Sequence, residues 1–416
     1  MSAQREDAGG RPACRHLALF LSGLAGGGAQ RRMLILARAF AERGHRVDLV
    51  VVRPEGPFRS EVSSLVRLVV LDPRWGHVPL LATRKGLWVL AAVPALAGYL
   101  QRVRPDVLLS TSNPANVAAL WARRLARVPV PVVISVNVHL SAATGPGQRF
   151  WRPLLRGLAR RSYPAADAAI AISRGVAVDL ALAGAIPEAR IATIHNPVDV
   201  GEIERRARAP LQHPWFGTGR PPVVLAVGKL KIQKDYATLL RAFARVRAAR
   251  QVHLVILGEG EERHRLEQLA RRLGVTADVA LPGFVDNPFA WMACASVFVL
   301  SSAWEGFSNA LVEALACGCP VVSTNCPSGP AEILDHGAYG PLVPVGDDGA
   351  LAAAVLSVLQ RPISPDRLRA RAAVFSVDAA ADRYLEILLA AWRDSCRCGS
   401  TGRGPSGERG RSADPD

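Results

Sequence analysis

Short apolar runs alternate with amphipathic stretches along most of the chain. Residues 16–22 form a continuous apolar run of strand length, and Gly23-Leu-Ala-Gly-Gly-Gly28 follows it. Residues 29–43 then place Met33, Leu34, Leu36, Ala37 and Phe40 at helical spacing, and Gly44 stands where a helix ends. Residues 46–52 are the next apolar run. Strand, glycine loop, helix and strand in that order open a doubly wound parallel sheet. Residues 107–110, 130–136, 168–172 and 191–194 continue the strand series.

The pattern lapses at residues 202–208, which are mostly charged, and Pro210, Pro214, Pro221 and Pro222 follow. This stretch reads as an interdomain linker. Alternation then restarts, with strands predicted at 223–227, 253–257, 279–281, 297–300 and 321–323 and helices at 236–249, 261–273 and 308–317. The expected class is α/β, with one domain at 16–205, a second at 215–375 and a final helix at 376–393. Residues 1–15 and the Gly-, Ser- and Arg-rich stretch 394–416 are expected to be flexible.

Composition adds limits. A chain of 416 residues exceeds one ordinary core, and 50% hydrophobic with 21% charged residues is the balance of a folded protein. No run of 18 uncharged apolar residues occurs, so no ordinary membrane-spanning helix is expected. The seven cysteines form no Cys-x-x-Cys, so neither a zinc site nor a disulfide framework is expected, and no secretory signal is read. The net charge of +16 is uneven: 29 of the 51 basic residues precede residue 210, against 14 of the 35 acidic ones. Such a field favours an anionic partner: nucleic acid, an acidic membrane face or a phosphorylated substrate. No basic and aromatic stacking platform argues for nucleic acid. Residues 86–100 are apolar with Pro94 inside, and residues 152–161 are basic and amphipathic. Each reads either as a packed domain helix or as a segment on a membrane surface.

Three segments carry chemistry. The first is Ser301-Ser-Ala-Trp-Glu305-Gly-Phe-Ser-Asn-Ala-Leu-Val-Glu313, which spans the end of a strand, a loop and the start of a helix. Ser308 or Asn309 can cap that helix, leaving the N–H groups of Ser308, Asn309 and Ala310 to meet an anion between two carboxylates. Taken alone, Glu313 is an acid in an N-terminal turn and Glu305 a loop residue. The second segment, Lys229-Leu-Lys231-Ile-Gln-Lys234, holds three of the four lysines in the chain. Compact ammonium groups after a strand suit phosphate, although a solvated loop has the same look. The third is Gly26-Gly27-Gly28, which either admits a phosphate to the backbone or only makes a turn. His139 follows the strand at 130–136, at the edge of the sheet where ligands collect.

Together these parts resemble the family-4 retaining glycosyltransferases of the GT-B fold. The resemblance spans about residues 16–390, is strongest over 223–345, and includes Ile194-His-Asn-Pro-Val-Asp199 and Cys326-Pro-Ser-Gly-Pro-Ala-Glu-Ile-Leu334. The latter run is similar to the subgroup that builds bacterial surface polysaccharides and lipid-linked oligosaccharides. The resemblance implies two Rossmann-like domains facing across a cleft, with the last helix crossing back to the first. It implies a nucleotide diphosphate sugar donor held mainly by the second domain, with uridine the commonest base, and a lipid-linked or saccharide acceptor on the first. The transferred sugar would be a hexose or N-acetylhexosamine.

By the same resemblance Lys229 and Lys234 neutralise the diphosphate, although the family more often carries Arg at position 229. Gly27 and Gly28 offer backbone to the distal phosphate. Glu313 binds the ribose, and Phe284 and Val285 hold the base through their backbone. Glu305, with Gly306, Phe307, Ser308, Asn309 and Ala310, meets the transferred sugar and phosphate. His139 sits near the anomeric centre, so His139, Glu305 and Lys234 are the catalytic candidates. Neither a metal nor a cofactor is implied, since positive side chains take the metal's place. The implied location is the cytoplasmic face of an anionic membrane, with peripheral attachment. A sugar-nucleotide epimerase of the same architecture and a basic non-catalytic binder are the rival readings.

Overall fold

The computed structural model describes residues 15–72, 87–141, 152–183 and 185–400. Two parallel sheets organise them. The first contains β1 (His16–Gly23), β2 (Arg46–Arg53), β3 (Arg67–Val70), β4 (Val107–Thr111), β5 (Val132–Val136), β6 (Ala168–Ala171) and β7 (Ile191–Thr193), in the order β3-β2-β1-β4-β5-β6-β7. The second contains β8 (Val223–Val227), β9 (His253–Leu257), β10 (Val279–Gly283), β11 (Val297–Leu300), β12 (Val321–Thr324) and β13 (Leu342–Val343), in the order β10-β9-β8-β11-β12-β13. Strands such as β1, β4 and β5 are buried on both faces, which is why they read as unbroken apolar runs.

Both orders reverse direction at one place. In the first sheet β1 lies between β2 and β4, and in the second β8 lies between β9 and β11. The loops that leave neighbouring strands in opposite directions there open a crevice at the carboxyl edge, where open parallel sheets bind ligands. The loops after β1, β8 and β11 are the glycine, lysine and paired-glutamate segments. Topology therefore explains why three motifs far apart in sequence converge.

In the first domain α1 (Gly28–Glu42), α2 (Val93–Val103), α3 (Asn113–Ala126), α4 (Arg152–Ser162) and α5 (Arg174–Leu182) cover the sheet. Leu96, Ala97, Tyr99 and Leu100 of α2 are buried, and Pro94 sits in its first turn, so the apolar stretch from 87 onward is a packed helix and not a membrane-surface segment. Residue 86, together with Trp151 and the side chains of Arg152, Leu154 and Leu155 from the basic amphipathic segment, lies outside the described residues. Ala159 of α4 is fully buried, and Arg160 donates to the Ala183 carbonyl at 2.9 Å.

The segment read as a linker is in part a helix. Residues of α6 (Val200–Ala207) are capped by the Asp199 carboxylate, bury Ile203 and dock on the second domain, where Arg206 pairs with Asp286 at 2.9 Å. Its charges satisfy one another at the surface, as Arg205 and Glu202 do, which hides a helix with a single buried position from a periodicity reading. The second domain carries α7 (Tyr236–Ala249), α8 (Arg263–Arg272), α9 (Pro288–Cys294), α10 (Asn309–Ala316), α11 (Pro330–Ile333), α12 (Asp348–Gln360) and α13 (Pro365–Ala373).

The last helix, α14 (Val377–Ser400), returns to the first domain. Ala380, Ala381, Tyr384, Leu385, Leu388 and Ala391 are buried in the cluster that contains Met33, Leu36 and Phe40 of α1. Arg43 at the end of α1 meets Asp378 at 2.8 Å and Asp382 at 3.0 Å. Residues 394–400, expected to be flexible, continue this helix, while 401–416 lie outside the described residues. Arg15 is likewise anchored, with its guanidinium 3.7 Å from the centre of the Trp392 ring; residues 1–14 lie outside the description.

Candidate active site

The N-terminus of α10 is the centre of the crevice. Its first N–H groups have no acceptor within the helix, and Ser308 at the cap position makes no side-chain cap bond. Ser308 is 3% exposed, and among the described residues its hydroxyl has no hydrogen-bond partner. A buried, unfilled hydroxyl at a helix N-terminus is suited to an anion, since the helix dipole adds to the free donors.

The glycine loop of the other domain closes over this point. Gly26 and Gly27 hold φ of 96° and 142°, which an L side chain rarely adopts, and they bring Gly28 up to α10. A Cβ on Gly28 would lie 3.7 Å from the Asn309 amide nitrogen. Gly306 presses on the Asn137 carbonyl from the first domain, where a Cβ would overlap it. At Gly306 the two domains thus meet backbone to backbone, with no room for a side chain.

Lys234 and Glu305 form an ion pair of 2.6 Å on the second domain's side of the crevice, and Glu305 is 7% exposed. Ser302 donates to the same carboxylate at 2.8 Å, Gln233 to its other oxygen at 3.4 Å, and Ser301 fixes the Lys234 carbonyl at 2.7 Å. Lys229 and Lys231 are exposed at the rim. Among the described residues the Glu313 side chain has no hydrogen bond or ion pair; burial pushes its carboxyl up, opposed by Arg31 and Lys234. Asn309 and Glu313, one turn apart, line a cavity of about 360 Å³ whose other walls are α1 and α6. Phe284 is 79% exposed and Val285 half-buried at the outer end of the crevice, after β10. Phe307 and Ala310 belong to the same loop and helix, Phe307 being buried. His139 faces across from the first domain; its Nε2 is hydrogen-bonded to Ser328 of the second domain, and its Nδ1 is 3.7 Å from Asp179.

Two residues escaped the motif reading. Arg32 on α1 is 1% exposed and donates to Asn196 (2.6 Å), Thr111 (2.8 Å), Ser135 (2.9 Å) and Asn137 (2.6 Å). Asn196 in turn donates to Asn309 at 2.9 Å, tying the loop after β7 to the start of α10. The signal was present: Arg32 stands one turn from Leu36 on the apolar face of α1, and Asn196 lies inside the Ile194–Asp199 run. Cys317, Cys319 and Cys326 are buried free thiols, and burial pushes Cys317 and Cys326 up to about 12. No group of three or more His, Cys, Asp or Glu side chains stands together among the described residues.

Known proteins with these features are consistent in kind. Residues 221–361 match the family model for glycosyl transferases group 1, and residues 26–202 match that for glycosyltransferase family 4. The chain is 32% identical over 231 residues to a Campylobacter jejuni N-acetylgalactosaminyltransferase acting on a diphospho-undecaprenol-linked saccharide; the match spans 55% of this chain and 61% of that protein. It is 28% identical over 371 residues to the lipopolysaccharide core biosynthesis glycosyltransferase LpsE of Rhizobium meliloti, spanning 87% of this chain and 96% of the relative. Among solved structures, the lipopolysaccharide outer core galactosyltransferase WaaB superposes with a TM-score of 0.69 at 19% identity, over 90% of this chain and 99% of that one. HepE of Anabaena, solved with UDP and glucose, gives 0.70 at 22% identity over 90% and 99%. Two glycosyltransferase modules in sequence, each built on one of the two sheets and sharing a crevice, place this chain in the family-4 glycosyltransferases of the GT-B fold.

Proposed function

We propose that this glycosyltransferase moves a hexose or N-acetylhexosamine from a uridine diphosphate sugar to a lipid-linked saccharide, with retention at the anomeric carbon. The observation that carries the reading is the N-terminus of α10: the buried Ser308 hydroxyl has no partner among the described residues, Glu305 three residues earlier is paired with Lys234, and Gly28 of the other domain stands against Asn309. The diphosphate takes the helix N–H groups and the Gly27–Gly28 backbone, Lys229 and Lys234 offset its charge, and Glu313 accepts the ribose hydroxyls. The backbone at Phe284 and Val285 holds the base.

In the transfer step the bond from C1 to the phosphate oxygen breaks and the bond from C1 to the acceptor oxygen forms on the same face. The acceptor's proton passes to the departing phosphate oxygen. Glu305 holds Lys234 in place and meets the sugar, while His139 borders the anomeric side. Donors oriented in advance toward a developing charge commonly supply the largest catalytic contribution. The named relatives support a lipid-linked or lipopolysaccharide acceptor, and HepE, solved with UDP, supports the uridine donor. Such an acceptor places the enzyme at the cytoplasmic face of the membrane, peripherally attached; no described helix is long and apolar enough to cross one.

A thermal-shift screen of UDP, GDP and ADP sugars, followed by mass spectrometry of products on lipid-linked saccharides, tests the reading. The expected result is stabilisation by one UDP sugar and a product heavier by one sugar, unaffected by EDTA. Release of UDP without any acceptor product, or conversion of the donor to an epimer, overturns it.

A further inference from the structure

The Cys326–Leu334 run supplies no group to the transfer step above, yet it makes several contacts between the domains. After β12 the chain passes through Ser328 and Gly329 with φ of 66° and 91°, which turns α11 toward the first domain. There Glu332 accepts from the N–H of Arg174 at 2.9 Å and from that of Gly175 at 3.3 Å, the first two residues of α5. The side chain of Ser173, the cap of α5, takes only the N–H of Val176, so Glu332 supplies from the other domain the acceptors that the first two N–H groups of this helix lack. The same carboxylate meets His195 Nε2 at 2.9 Å. Arg371 grips the latch from behind, donating to the Glu332 carbonyl at 2.6 Å and the Ile333 carbonyl at 2.8 Å.

This contact leads directly into the donor loop. His195 stacks on Phe307 with centroids 5.3 Å apart and meets Phe375 edge-on at 5.4 Å. Phe307 adjoins Gly306 and Ser308, and Asn196, next to His195, donates to Asn309. Gly175 packs against Ser328 so closely that a Cβ there would overlap the serine hydroxyl, which is itself bonded to His139. Seating Glu332 on α5 therefore also sets Phe307, Asn309 and His139 in register.

We propose that Glu332 is a positioning residue: its carboxylate completes the N-terminus of α5 across the cleft and so fixes the closed geometry in which the donor loop meets the first domain. The role in catalysis rests on the proposed transfer reaction; the closure itself does not. In this arrangement the carboxylate is needed for its charge and reach, and the missing side chain of Gly175 for its space. Closure assembled from two domains commonly limits turnover more than nucleotide affinity, because the nucleotide sits mainly on one of them.

The test uses the full chain with Glu332→Gln and, separately, Gly175→Ala. The second change removes no polar group and replaces glycine by a better helix former, so it leaves the first domain intact while obstructing closure. Amide hydrogen exchange over residues 173–182 is followed with and without UDP, alongside kcat and donor KM. The expected result is faster exchange of the amides at positions 174 and 175 in both variants, a fall in kcat of about tenfold or more, and UDP affinity within about twofold of wild type. Unchanged exchange in both variants overturns the latch, whether or not any activity is found. Faster exchange with unchanged kcat overturns the positioning role. Failure of every nucleotide sugar to react overturns the transfer reading and leaves the exchange result to decide the latch.

Discussion

Lys234 and Glu305 are a coupled pair, and that changes how either is to be tested. If Lys234 served only to neutralise a diphosphate, Lys234→Ala would spare the fold. In the structure it would leave a carboxylate at 7% exposure without its cation, and breaking a buried pair from one side costs about 3–5 kcal/mol. Lys234→Ala is therefore expected to lower the melting temperature as well as turnover. The double change Lys234→Met with Glu305→Gln should recover much of the stability and none of the activity, and a melting curve beside a transfer assay separates the two. Glu313 shows the opposite balance. The folded chain holds its proton more tightly than the unfolded chain does, so this group favours folding below the ordinary glutamate range and loses that contribution as pH rises. Glu313→Gln is expected to raise Tm by about 1–3 °C and to weaken donor binding about tenfold. A lower Tm with normal donor affinity would count against the ribose role. The meeting of the motif segments at one crevice was legible because each follows a strand end at a fixed spacing. Arg32 was not, because a lone arginine on an apolar helical face shows its purpose only once Thr111, Ser135, Asn137 and Asn196 surround it.

At the scale of elements, apolar strands and strongly periodic helices were readable, edge strands β7 and β10 included, and the other two edge strands were not. β13 has only two residues, and β3 (Arg67–Val70) buries none of its positions, so neither stands out as an apolar run. α3 has five alanines among its 14 residues, and its buried positions run unbroken from Ala115 to Leu120, which blurs the helical period. α6 was hidden by its charges. The last helix was expected to end near residue 393 because the stretch that follows is rich in glycine, serine and arginine, yet α14 continues to Ser400. Its hold on the first domain is testable at two positions. Leu388 is fully buried beside α1, and Leu388→Ala is expected to cost about 2–4 kcal/mol. Tyr384 is equally buried, but among the described residues its hydroxyl has no partner, so Tyr384→Phe removes an unsatisfied group and is expected to leave stability unchanged or raise it slightly. Urea denaturation of both variants checks the pair; a large loss in Tyr384→Phe would mean that the hydroxyl is satisfied after all.

The uneven charge acts at the scale of the whole molecule. Twenty-nine basic and 14 acidic residues precede position 210, while the remaining chain is close to neutral. The ion pairs within the first domain do not consume this excess: Asp48 is held by Arg67 and His16, and Asp167 by Arg123, but the arginines outnumber their partners. An acceptor anchored in an anionic leaflet would be approached by the domain that the reading assigns to it, since each arginine near such a surface contributes about 1 kcal/mol. Because that attraction is carried by exposed charges, salt screens it within a Debye length of about 8–10 Å at 0.1–0.15 M. Sedimentation with vesicles rich in phosphatidylglycerol is expected to fall on the order of tenfold between 50 and 500 mM salt, and neutral vesicles are expected to leave the protein in the supernatant. Binding that resists salt, or that is equal on neutral vesicles, would assign the attachment to an apolar surface and leave the charge of the first domain without this role.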